Sequence, residues 1–133
     1  MDLPADPARI FTQEALDALF PPERTDRFFD ALYGDAREGA YDIRLAFLGA
    51  DPGQQQLVFA FRLHERPGAC LACNLTYGLP QVFDRHPVIG VQSLVEGLVA
   101  LLPAKPGRVN WSLGRTEAKS RRLHTIPLVV QLG

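Results

Sequence analysis

The sequence predicts an α+β fold: a two-layer sandwich in which a mostly antiparallel sheet of four to five strands is covered by helices, in the order ααβββαββ. Three observations carry this reading. Apolar residues recur at helical spacing between residues 12 and 34 and again from 91 to 102. From residue 41 to 63, and again from 109 to 132, the pattern changes to alternation. The links between alternating runs are of hairpin length, which favours antiparallel strands over crossover units. With 133 residues, 47% of them hydrophobic and 22% charged, the chain reads as a single domain, 1–133, able to bury a core without disulfide staples. Residues 1–10 read as a flexible lead-in.

Thr12 is a good N-cap, and Leu16, Leu19 and Phe20 then fall on one helical face. Pro21 and Pro22 stop this helix and open the next, because proline is tolerated at a first helical position. Phe28, Phe29, Leu32 and Tyr33 form the stripe of the second helix, and Gly34 suits its C-terminus. Tyr41, Ile43, Leu45 and Phe47 alternate with polar or small residues, Asp51-Pro52-Gly53 makes a turn, and Leu57, Phe59, Phe61 and Leu63 alternate back. A third strand is expected from Cys70 to Gly78, hairpinned to the second so that Leu63 meets Cys73, Phe61 meets Leu75 and Phe59 meets Tyr77. Gln81 to Arg85 reads as a short helical turn. Ser93 is the expected cap of a helix that turns Leu94, Leu98, Leu101 and Leu102 inward, over a sheet face lined by Ile43, Phe59, Phe61 and Trp111. Val109, Trp111 and Leu113 make a fourth strand, and Gly114 to Arg122 a polar, basic connection. The fifth strand, Ile126 to Leu132, contains Pro127, which cannot donate to a ladder, so it is expected at a sheet edge or with a bulge.

Composition excludes several classes. The formal net charge of −1 argues against a non-specific polyphosphate binder, and nucleic acid is not an expected partner. The longest apolar stretch, 88–102, is too short and too polar to span a bilayer, and the acidic, proline-rich start is unlike a secretory signal. A cytoplasmic setting is the resulting expectation. The charge is polarised: residues 1–51 hold eleven acidic and five basic residues, residues 52–133 four and nine. Such polarity favours docking or head-to-tail self-association.

Two segments carry candidate chemistry. Cys70 and Cys73 form a CxxC, but positions i and i+3 of a strand point to opposite faces. The pair can act together only if residues 66–70 bulge out of the strand. Three readings stay open: Cys73 packed in the core with Cys70 on a loop, a metal site in which Cys70, Cys73 and one or both of His64 and His86 would hold zinc, and a redox dithiol. The second segment is basic. Arg115, Lys119, Arg121 and Arg122, followed by His124, could bind an anion or a partner's acidic surface. There is no Gly-x-Ser-x-Gly, HExxH, phosphate loop or GxGxxG, and no catalytic residues are assigned.

The runs Asp26-Arg27-Phe28-Phe29-Asp30-Ala31-Leu32-Tyr33-Gly34-Asp35, Cys70-Leu71-Ala72-Cys73-Asn74-Leu75-Thr76-Tyr77-Gly78-Leu79-Pro80 and Arg85-His86-Pro87 together resemble a small family of uncharacterised bacterial proteins. The resemblance spans most of the chain. It implies a bacterial, cytoplasmic setting and brings no activity. The sequence therefore leads to the expectation of a non-enzymatic binding protein that self-associates as a homodimer, with a metal- or thiol-dependent protein centred on the CxxC as the alternative.

Overall fold

The computed structural model describes residues 6–34, 41–68, 79–103 and 105–132. Its helices are α1 (Pro7–Ile10), α2 (Gln13–Leu19), α3 (Pro22–Tyr33), α4 (Leu79–Arg85) and α5 (Val91–Ala100). Its strands are β1 (Tyr41–Asp51), β2 (Gln56–Glu65), β3 (Val109–Leu113), β4 (Glu117–Ala118) and β5 (Leu123–Leu132). They form a five-stranded antiparallel sheet in the order β1-β2-β5-β3, with β4 beside the other half of β5. The α+β class is as the sequence predicts.

The helical caps follow from local chemistry. Thr12 Oγ1 accepts from the N–H of Ala15 at 3.1 Å and so satisfies one of the free donors of α2. Pro22 opens α3 after an extended Pro21, and Gly34 closes it in the left-handed region at φ 79°. Two local expectations change. The N-cap of α5 is Gly90, at φ 58°, and Ser93 lies inside the helix. Residues 7–10, expected within a flexible lead-in, form a helical turn that leads Phe11 into the core.

The core lies between the helices and one face of the sheet. Ile43, Leu45, Phe59, Phe61, Leu63, Ile126 and Leu128 face it from three neighbouring strands. Leu16 and Phe20 from α2 and its end, Phe28 and Phe29 from α3, Phe83 from α4, and Leu94 and Leu98 from α5 cover them. Aromatic edges link the two layers: Phe61 meets Phe20 at 5.6 Å and Phe83 at 5.3 Å between ring centroids. Leu101, expected inward, is 39% exposed because α5 ends one residue before it.

Sheet topology overturns two expectations. Strand β2 is flanked on both sides: Leu63, Phe61 and Phe59 face Ile43, Leu45 and Phe47 of β1, and His124, Ile126 and Leu128 of β5. The third strand expected from Cys70 to Gly78 lies outside the described residues. Strand β5 is interior, not an edge. Its odd-numbered residues turn their backbone polar groups toward β3 and its even-numbered ones toward β2, as the Gly114 N–H to Pro127 O and Leu132 N–H to Gln55 O bonds show, both 2.8 Å. The missing donor of Pro127 therefore falls where β3 has ended and β4 has not begun, and no ladder bond is lost. The connection expected at 114–122 thus contains β4, which pairs Glu117 with Thr125 and Ala118 with His124.

The same junction is closely packed. A Cβ on Gly114 would lie 3.2 Å from Cγ and 3.3 Å from Cβ of the Pro127 ring, which cannot swing aside. Gly114→Ala is expected to cost about 1–2 kcal/mol by overpacking, read as a lower urea midpoint with an unchanged m-value.

Candidate functional site

The two outer edges of the sheet are treated differently. At β1, Ile43 and Leu45 turn their backbone groups away from β2, and helix side chains meet them. Thr25 Oγ1 accepts from the Ile43 N–H at 3.1 Å and donates to the Ile43 carbonyl at 3.3 Å. Gln13 Nε2 donates to the Leu45 carbonyl at 2.7 Å. Ion pairs close the seam further out: Arg44 grips Asp17 through Nε (3.2 Å) and Nη2 (2.8 Å). Arg66 bridges Asp26 at 2.9 Å and Asp42 at 3.0 Å while lying over the Phe29 ring. An edge sealed in this way offers no template to another strand.

At β3 the alternation leaves the backbone groups of Val109, Trp111 and Leu113 pointing away from β5, and among the described residues no strand lies beyond them. Two clefts run along this edge. One, of about 420 Å³, is lined by Pro80, Gln81, Asp84, Trp111, Ser112 and Leu113. The other, of about 580 Å³, shares Pro80, Gln81 and Leu113 and continues to Gly114, Arg115 and Thr116. Together they form a groove between α4 and the strand edge. The indole of Trp111 is fixed by an Nε1–H bond to Gln92 Oε1 at 2.7 Å. Lys105 and Arg108 precede the strand and Arg115 follows it, all exposed and without a carboxylate partner among the described residues.

The residues singled out from the sequence are dispersed. Cys70 and Cys73 lie outside the described residues. His64 stands on the open sheet face, one position from buried Leu63. His86 lies in the helical layer, its ring 4.9 Å from that of Phe28 and its Nδ1 accepting from the Val88 N–H at 3.2 Å. The two histidines are thus on opposite sides of the sheet, and among the described residues no three His, Asp or Glu side chains gather around a metal position. Arg115 reaches the groove. Lys119 pairs with Glu117 at 3.6 Å, Arg122 reaches Glu65 at 4.0 Å, and Arg121 is exposed. His124, expected beside them, is only 3% exposed and turns to the core face next to Leu63.

A grouping that the sequence reading missed lies on the open face. The register sets Arg44 directly opposite Arg62 and Asp42 directly opposite His64, with Thr125 beyond Arg62 on β5. Partial loss of water, then the charges of Arg62 and Arg44, hold the His64 imidazole below its ordinary pKa, against the pull of Asp42. The bond from Arg44 holds the Asp17 carboxyl below the usual carboxylate range. Beside this group a cleft of about 390 Å³ opens between α2, α3 and β1, with Phe20, Pro22 and Ile43 among its apolar walls. The signal available in the sequence was two arginines at outward positions of consecutive alternating runs.

Fold and edges define a class: a two-layer α+β domain with one sheet edge sealed and the other, among the described residues, open. No family model, curated protein or solved structure matches the chain. Among the described residues no helix is long and apolar enough to cross a membrane.

Proposed function

We propose that this protein is a non-catalytic binding module that takes an extended, acidic polypeptide segment along the β3 edge. The observation that carries this reading is the contrast between the edges: Thr25 and Gln13 block β1, whereas the outward backbone groups of Val109, Trp111 and Leu113 face a groove. An added strand would gain main-chain hydrogen bonds there, and alternate side chains would enter the groove. Lys105, Arg108 and Arg115 at the two ends favour acidic residues in the bound segment.

The homodimer expected from the sequence loses one of its motives, the edge-type final strand, since β5 is interior. Among the described residues a second copy could add a strand at β3, and antiparallel pairing centred on Trp111 would bring Arg108 of each copy beside Arg115 of the other. Like charges at that spacing oppose the pairing.

Trp111 is the sole tryptophan, so its emission reports the groove directly. Titration with peptides of alternating valine and glutamate is expected to give a saturable change. Val109→Pro removes one outward N–H at the first residue of the strand, where proline is tolerated, and is expected to weaken binding about tenfold. Binding unaffected by this substitution would overturn the reading. A dimer seen by light scattering and lost in Val109→Pro would assign the edge to self-association instead.

A further inference from the structure

We propose that the open face of the sheet is a dimer interface, on which a second copy of this chain packs sheet against sheet. The helices bury their apolar residues against the side that carries Phe59 and Phe61. Along each strand the intervening residues point to the opposite side. There an apolar band crosses three strands: Ala46 and Leu48 of β1, Val58 and Ala60 of β2, and Pro127 and Val129 of β5. Leu48 is the extra residue of a bulge between Phe47 and Gly49. At 53% it is the most exposed large hydrophobic side chain among the described residues. Val58 and Val129 are half-buried and stand outside the core cluster. A single exposed leucine is ordinary, but a continuous apolar band marks an interaction surface.

The order of residues along the strands suits a copy of the same face. Ala46, Ala60 and Pro127 form a low apolar row, and Leu48, Val58 and Val129 form a higher one beside it. Arg44 and Arg62 flank the low row, and Asp51 and Gln56 flank the high one. A two-fold axis across the strands, between the two apolar rows, lays the high row of each copy on the low row of the other. It also sets Arg44 and Arg62 above Asp51 and Gln56 of the other copy, where charges attract and amides accept. An axis along the strands would instead stack arginine on arginine. Asp17 and Asp42 stand beside the arginines, so little net charge opposes a like copy.

Sheets packed in this way lie about 10 Å apart with their strands within about 30° of each other. Four strands about 4.8 Å apart, over eight residues of about 3.4 Å each, cover about 500 Å² per copy. The pair then buries about 1,000 Å², the size at which specific interfaces begin.

Light scattering over a dilution series tests the interface. A dimer is expected at about 100 μM chain, because interfaces of this order hold with micromolar or better affinity. Leu48→Glu changes a residue that is exposed in the single copy, so folding is retained while dissociation strengthens at least about tenfold. Val58→Thr keeps the β-branched shape that the strand favours and should weaken the dimer in the same direction. Leu101→Glu, an equal change on the helical side, should leave the dimer intact. So should Val109→Pro, which separates this interface from strand addition at β3. A monomer at about 100 μM would overturn the proposal and leave the face to a different partner. A dimer of parent strength in both folded variants, or one lost in Val109→Pro, would overturn it as well.

Discussion

Phe61→Ala is expected to lower the free energy of unfolding by about 3–5 kcal/mol. Phe61 is fully buried on β2, a strand with both neighbours occupied. Its ring touches Phe20 at the end of α2 and Phe83 on α4, the latter nearly perpendicular at 89°. Phe83 in turn meets Phe28 of α3 at 5.6 Å. Removing the ring deletes the contact at which the helical layer meets the middle of the sheet, and the cavity is walled by strands that cannot collapse inward. Small domains have about 5–15 kcal/mol in total, so the loss is a large fraction of the whole. A denaturant titration would read it as a much lower midpoint, with Phe61→Leu recovering part of the difference. A loss below about 1 kcal/mol would contradict the observed packing.

Thr25→Val is expected to have the second largest effect, and a different kind of effect. The substitution keeps the shape and removes a hydroxyl that serves both backbone groups of Ile43. Leaving a buried donor and a buried acceptor unpaired costs about 1–3 kcal/mol each, so about 2–4 kcal/mol is expected after local relaxation. The loss should come with self-association, because the freed edge of β1 becomes a template for pairing. Light scattering on heating should show aggregates earlier in Thr25→Val than in Phe61→Ala brought to equal stability with denaturant. Thr25→Ser keeps the hydroxyl and should stay near the parent protein in both respects. Equal aggregation in the valine and serine variants would remove the role assigned to the hydroxyl.

Much of the fold was legible because it rests on neighbours in the chain. Thr12, Pro22 and Gly34 mark helix ends by their own backbone and side-chain chemistry, and all three act as expected. The alternation of Tyr41 to Phe47 and of Leu57 to Leu63 gave one buried and one open face, as period-two patterns do. Gly90 was missed as a helix start because Ser93 is the stronger local signal. The groove was not legible, since Pro80 and Leu113 meet only after residues 79–85 dock beside β3.

The sequence by itself determined the α+β class, the helical hairpin and the inward faces of the main strands, because periodicity and capping are properties of adjacent residues. Tertiary structure alone decided which strands became edges. Pro127 reads locally as an edge residue, yet β5 lies inside the sheet because the gap between β3 and β4 receives its missing donor. It also decided that Thr25 would seal one edge, that the other would carry no further strand among the described residues, and that Arg44 would face Arg62 across a strand boundary. Strand order and register are set by which surfaces pack together over long separations, and no local pattern specifies that choice.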